Sequence, residues 1–272
     1  MRLPLMAILA CSATCLLPAC QKVQGTGRTQ LILTSAEQEN KLGAQSYRQI
    51  VGKERQSADV EAIALVERVG RRLAAAAPER GFKYEFSVLE SKQANAFCLP
   101  GGKVAVYTGL LSYCEHEAGL AAVMGHEIAH AIARHGGERM TQGLIVEGLS
   151  TTLDAAMQAK GVEPTSANVA MTAFGAGAQV GVLLPYSRKH ETEADYLGLL
   201  YMAKAGYDPR EAVGFWERFS KQGSGLPAFL STHPHSADRA NALQQKLGEA
   251  LALYERSPKY GAGEAVPARY RK

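Results

Sequence analysis

The sequence predicts a mainly helical α+β fold with one small β-sheet of about three strands. Apolar residues recur at helical spacing over most of the chain, and period-two alternation is confined to residues 82–107. That short β region leads into Glu117 to His135, a proline-free run rich in Ala and His. The 272 residues, 46% hydrophobic and 21% charged, suit one well-filled core, and no shift in composition marks a second large domain. A net charge of +4 on dispersed basic residues argues against nucleic acid as a partner.

Residues 1–19 read as a signal peptide. Arg2 precedes the mostly apolar Leu3 to Leu17, and Leu17-Pro18-Ala19-Cys20 ends the stretch in the manner of a bacterial lipoprotein signal. Cleavage before Cys20 and lipid on its thiol are expected, with Gln21 directing the protein to the periplasmic face of the outer membrane. The stretch is too short for a transmembrane anchor. Cys98 and Cys114 are then left in an oxidising compartment, where a disulfide between them is expected.

Residues 20–33 read as a lipidated tether and 34–256 as the folded domain. Thr34 and Ser35, with Glu37 and Gln38 behind them, start a helix that runs to about Val51. A second helix follows Ser57, with Val60, Ile63, Val66, Val69 and Leu73 on its apolar stripe, and ends before Pro78. Phe82, Tyr84, Phe86 and Val88 alternate as a half-buried strand, and residues 95–99 and 103–107 flank Pro100-Gly101-Gly102 as a hairpin. Gly136-Gly137 is expected to end the helix begun at Glu117. Residues 138–184 predict two helices around a break at 161–166, the second packed or movable rather than membrane-spanning. A helix over 191–205 stops at Gly206, and Asp208-Pro209 opens the next, which holds Trp216. Residues 222–226 form a Gly/Ser loop, Ser236 caps a last helix to Tyr254, and 257–272 read as a disordered tail.

The chemistry lies in His126-Glu127-Ile128-Ala129-His130. On a helix the two histidines stand one turn apart on one face, where both imidazoles reach one metal. Glu127 then flanks the open position, where a carboxylate takes a proton from water acidified by Zn2+. Downstream, Glu191 and Asp195 share a helical face, so Glu191 is placed to bind metal and Asp195 to hold a ligand histidine. His190 and Glu193 are expected at the surface, and His116, His135 and His235 at surface or capping positions.

Four motifs in order now carry a resemblance: Asn95-Ala96-Phe97 with Pro100-Gly101-Gly102; His126 to His130; Ser187-Arg188 with Glu191 to Asp195; and Ser231-Thr232-His233-Pro234 with Arg239. From about Glu37 to Leu247 the chain resembles the zinc metallopeptidase family of HtpX and the CAAX prenyl endopeptidases, particularly its periplasmic lipoprotein members. The resemblance implies a zincin-like fold and one Zn2+ held by His126, His130 and Glu191, with Glu127 as base. An edge strand beside a peptidase metal can pair with an extended backbone, so the substrate is expected to enter along the hairpin at Asn95, Ala96 and Phe97. His233 is expected to stabilise the oxyanion or to take the fourth metal position, and Arg239 to support the site or form a surface ion pair. The function implied is hydrolysis of unfolded or misassembled envelope proteins, with the outer-membrane protein assembly machinery as a partner. The other reading is a periplasmic chaperone with a latched peptidase. No helical-repeat domain follows the matched stretch, so partner binding through one is not expected.

Overall fold

The computed structural model describes residues 20–179, 184–220, 229, 233 and 239–271. The signal segment, the 222–226 loop, the Ser236 cap, His235 and the immediate neighbours of His233 lie outside the described residues. In chain order the first elements are β1 (Cys20–Lys22), β2 (Thr29–Leu31), α1 (Ala36–Lys53), α2 (Val60–Ala76), β3 (Glu85–Leu89), β4 (Ala96–Leu99) and β5 (Lys103–Tyr107). Helices follow: α3 (Thr108–Cys114), α4 (Glu117–Ile132), α5 (His135–Ala159), α6 (Pro164–Ala178), α7 (Leu184–Lys204), α8 (Arg210–Ser220) and α9 (Arg239–Tyr254). The mainly helical α+β expectation holds, and the described residues divide into two compact units, those within 37–133 and 187–271, and those within 20–36 and 134–186.

In the first unit the sheet runs β3-β5-β4, with β3 parallel and β4 antiparallel to β5. The expected hairpin is present, pairing Ala96 with Val106 and Leu99 with Lys103. The first strand starts at Glu85, later than expected; ahead of the ladder Tyr84 stacks on Phe86 and Phe82 meets Tyr84 edge-on. Asp59 caps α2 by accepting from the Glu61 and Ala62 amides, and α2 packs on β3 and α4. Every residue of α4 is buried. Its polar members Glu117, His126, Glu127 and His130 therefore need partners in the interior.

The start of α4 explains why residues 257–272 are not a disordered tail. The first amides of a helix have no partner within it. Here the Glu117 and Ala118 amides donate to the carbonyls of Glu264 and Ala262, and His116 Nδ1 accepts from the Gly119 amide. Glu117 itself accepts from Arg68, Arg72 and the Tyr207 hydroxyl at 2.6–3.0 Å. The tail caps α4 through backbone carbonyls, which leave no pattern in the sequence.

The end of the tail is pinned by Arg269 and the Tyr270 hydroxyl, both donating to Asp59. The Arg269 bond holds the Asp59 carboxyl well below the usual carboxylate range. A carboxyl whose pKa is depressed on folding stabilises above its unfolded pKa of about 4 and loses that contribution as pH falls through the folded value. Protection against hydrogen exchange at residues 266–271, taken relative to the intrinsic exchange rate at each pH, should accordingly be high and level from pH 8 to about 4. Protection should fall only in stronger acid, and Asp59→Asn should remove it at all pH values.

The second unit corrects two expectations and bears out a third. Residues 20–33 are no loose tether: β1 and β2 form an antiparallel hairpin pairing Cys20 with Leu31, bound to α5 by Arg28 to Glu138 and by the Leu33 amide to Thr141. Gly136-Gly137 does not end the helix of His126; both glycines lie in the first turn of α5. The break falls at Arg134, whose φ of 59° turns the chain. Its guanidinium donates to Gln21 and to the Thr34 carbonyl, which holds that left-handed conformation in place. The two helices expected around a break at 161–166 are present: α5 ends at Ala159, and α6 runs from Pro164 to Ala178 with Glu163 capping the Ser166 amide. Among the described residues no helix is long and apolar enough to cross a membrane.

Candidate metal centre

Two helices build the site. α4 places His126 and His130 on one face, α7 places Glu191 and Asp195 on one face, and the two backbones meet at Gly125 and Gly198. A Cβ on Gly198 would stand 2.7 Å from the His126 amide nitrogen, so only glycine permits this approach. Neither glycine was singled out in the sequence. The available signal was position: Gly125 precedes His126, and Gly198 follows Asp195 by three residues on its face.

His126, His130, Glu191 and His233 converge, with one ligand atom from each lying within 4.8 Å of the others. His126 Nε2 is 3.0 Å from His130 Nε2 and 3.3 Å from a Glu191 oxygen, and His130 Nε2 is 3.4 Å from the other Glu191 oxygen. His233 Nδ1 lies 3.1 Å from Glu191 and 3.3 Å from His126 Nε2. Four donor atoms around a zinc at about 2.0–2.1 Å stand about 3.3 Å apart. The residues therefore fit zinc in spacing as well as in type.

The opposite side of His126 fixes its tautomer. Nδ1 lies 2.9 Å from Asp195 Oδ1, so the proton sits there and Nε2 presents its lone pair to the centre. Asp195 is held in turn by Arg239, which donates at 2.5 and 2.8 Å while its guanidinium lies 3.8 Å over the Trp216 ring. Arg239 is only 4% exposed, which decides between a site-supporting role and a surface ion pair. Burial works against a charged His126, but its bonds to Asp195 and Glu191 outweigh this and push its pKa up to about 9. Burial likewise opposes ionisation of Glu191, and the bonds from His126, His130 and His233 hold it far below the usual range. The cluster is thus built to accommodate positive charge at its centre.

Glu127 is 4% exposed, and its Oε1 accepts no hydrogen bond although His233 Nε2 stands 3.3 Å away. A buried carboxylate oxygen without a donor, beside a metal position, is free to take a proton. Phe229 stacks on His233 with ring centroids 4.5 Å apart. Neither Phe229 nor Trp216 carried a role in the sequence reading, because only the folded chain brings them beside the histidines.

Several expectations come out otherwise. His135 is fully buried, and His190 and Glu193 are buried rather than surface residues. Their elements are packed on more sides than an amphipathic pattern conveys. Cys98 and Cys114 are free thiols and not a disulfide. Each donates to a local carbonyl, Cys98 to Leu99 and Cys114 to Leu110, and burial pushes both thiols well above their ordinary pKa. Such thiols are poor at disulfide chemistry, which runs through the thiolate. Phe97 turns its ring to Tyr107, and the Asn95 side chain accepts from the Ala96 amide. The Asn95 carbonyl accepts from Tyr107 on the β5 side, so ladder alternation turns the backbone of Ala96 and Cys98 to the side of β4 away from β5.

Replacing Asp195 by Asn should weaken zinc binding roughly 10- to 100-fold, since the bond that orients His126 loses its charge. Competition against a metal buffer measures this; unchanged affinity would remove Asp195 from that role.

A helix-borne histidine pair, a carboxylate from a second helix and beside them a buried glutamate whose Oε1 accepts no hydrogen bond define a zinc metallopeptidase centre. Comparison with known proteins specifies it further. The profile described as Peptidase family M48 matches residues 62–247, more than half of the chain, and the chain belongs to peptidase family M48. Members of this family use zinc, which is the cofactor the His126 cluster fits. Similar proteins include the "Mitochondrial metalloendopeptidase OMA1" of Schizosaccharomyces pombe, 39% identical over 72% of this chain and 56% of that protein. Its Arabidopsis thaliana namesake is 41% identical over 64% of this chain and 34% of its own length. A "Putative beta-barrel assembly-enhancing protease" of Vibrio cholerae is 33% identical over 64% of this chain and 37% of that protein. The chain spans between about a third and just over half the length of these relatives.

Proposed function

We propose that this protein is a zinc-dependent endopeptidase of the bacterial cell envelope that cleaves unfolded or misassembled outer-membrane proteins. The observation that carries the reading is Glu127 Oε1, buried and without a hydrogen bond beside the four-ligand cluster. Zinc, when bound, lowers the pKa of water and polarises the scissile carbonyl. Glu127 takes the proton from the attacking water and later delivers it to the leaving amine. Asp195 and Arg239 keep His126 in register through these steps. The backbone of Ala96 and Cys98 that faces away from β5 receives the substrate as an added strand, a mode that suits unfolded chains because it reads backbone rather than side chains.

The envelope assignment rests on Leu17 to Cys20, with the lipidated Cys20 as membrane anchor at the periplasmic face of the outer membrane. Relatives named as beta-barrel assembly-enhancing proteases agree with it and suggest the assembly machinery as a partner. Relatives named as mitochondrial metalloendopeptidases carry similar sequence in another compartment, so the anchor and not the catalytic part sets location. Trapping with the Glu127→Gln variant in envelope fractions tests compartment and substrate together. Enrichment of outer-membrane proteins is expected, and capture of none would sink the substrate assignment.

A second reading is favoured by His233. Its ring stands among the ligand atoms, and Phe229, four residues earlier, donates its amide to the Ala94 carbonyl just before β4. A resting enzyme with His233 in the fourth position would be latched, and the protein would then act chiefly as a chaperone. In a deletion strain, full rescue of envelope stress by Glu127→Gln would favour this reading.

A further inference from the structure

The β1–β2 hairpin and α5 enclose a groove of about 360 Å³ whose wall is mostly apolar, including Leu31, Ile145, Val146 and Leu149. Cys20 stands on its rim with an exposed side chain. Gln142 also lines it, 8% exposed, with both its amide oxygen and its amide nitrogen lacking a hydrogen-bond partner. A buried primary amide left unpaired is costly and points to a polar group that belongs beside it. Leu144, Ile145 and Leu149 on the same helix are 52%, 41% and 55% exposed, an apolar stripe with nothing over it among the described residues.

We propose that this groove seats the first stretch of a fatty acyl chain carried by Cys20 itself, with the Gln142 amide donating to the ester carbonyl at the head of that chain. The inference rests on the lipoprotein reading above. In the acylation it assumes, the Cys20 sulfur displaces phosphate from the glyceryl carbon of an anionic glycerophospholipid. A C–S bond forms, the glyceryl C–O bond breaks, and the thiol proton leaves with the phosphate head group. The geometry favours this occupant over a free lipid, because the hairpin pairs Cys20 with Leu31 and is itself fastened to α5 by Arg28 and Leu33. A diacylglyceryl group on that sulfur places its ester-linked chains at the groove's edge, and the volume suits part of one chain rather than a whole lipid. A polar donor at the head of an apolar slot matches an ester followed by methylenes.

The test feeds cells expressing the full-length chain a fatty acid bearing a diazirine, irradiates the membranes and maps the label by mass spectrometry. Label on the Cys20 peptide and cross-links to residues 142–149, several-fold above those at Val169 on α6, are expected. Leu149→Asp, at an exposed position, should reduce the groove cross-links several-fold and leave the Cys20 label unchanged. Label at Cys20 with cross-links to bilayer lipid alone would overturn the groove assignment while leaving the lipoprotein reading intact. Absence of label on Cys20 would overturn both. Groove cross-links that persist in Cys20→Ser would identify a free lipid as the occupant and likewise overturn the proposal.

Discussion

Replacing Glu127 by Gln is expected to lower kcat for peptide hydrolysis by roughly a thousandfold to ten-thousandfold, at the upper end of what one acid–base group contributes, because the same carboxylate acts twice. Gln keeps the volume and planarity of the side chain but cannot accept a proton. Glu127 is not among the four residues whose ligand atoms cluster, so the variant should bind zinc in the same stoichiometry as the parent. KM should change little, since the loss falls on the transition state rather than on binding. Metal analysis alongside single-turnover kinetics separates the two effects. Retained turnover with full zinc content would remove Glu127 as the base.

Gly198→Ala is expected to lower both stability and zinc affinity although residue 198 touches no metal. The added Cβ would lie 2.7–2.9 Å from backbone atoms of Gly125 and His126, distances that require the helices to move apart. Such overpacking costs about 1–3 kcal/mol. Separation of α7 from α4 also draws Glu191 and Asp195 away from His126, and zinc affinity should fall roughly tenfold or more. Gly248→Ala on α9 is the control: nothing lies within 4 Å of its added Cβ, and a helix-interior Gly→Ala change there should be neutral or stabilising by up to about 1 kcal/mol. Thermal unfolding with and without chelator measures both terms. Equal behaviour of the two variants would show that the Gly125–Gly198 approach does not set the site.

The residues that converge on the candidate metal centre were legible because metal chemistry demands fixed residue types at helical spacing. His126 and His130, and Glu191 with Asp195, each stand four apart, and the structure brings both pairs to one centre. The hairpin from Ala96 to Tyr107 was legible from turn residues between alternating runs. The failures have a common form. The tail over 257–272 reads as unpatterned, yet its carbonyls cap the helix that carries the histidines. Gly136-Gly137 reads as a helix stop, yet the turn is made by Arg134 through bonds to Gln21 and Thr34. Cys98 and Cys114 read as a pair from compartment alone, which says nothing of whether two thiols meet.

From local pattern alone came the helical class of the chain, the residues that meet at the candidate metal centre and the carboxylate beside them, because side-chain type and local period encode all three. Tertiary structure alone decided how close α4 and α7 come, that Arg239 is buried behind Asp195 against Trp216, and that backbone carbonyls from the end of the chain finish the start of α4. These depend on contacts between segments far apart in sequence, several made by backbone atoms or by the absence of a side chain, and such contacts leave no local pattern in the order of residues.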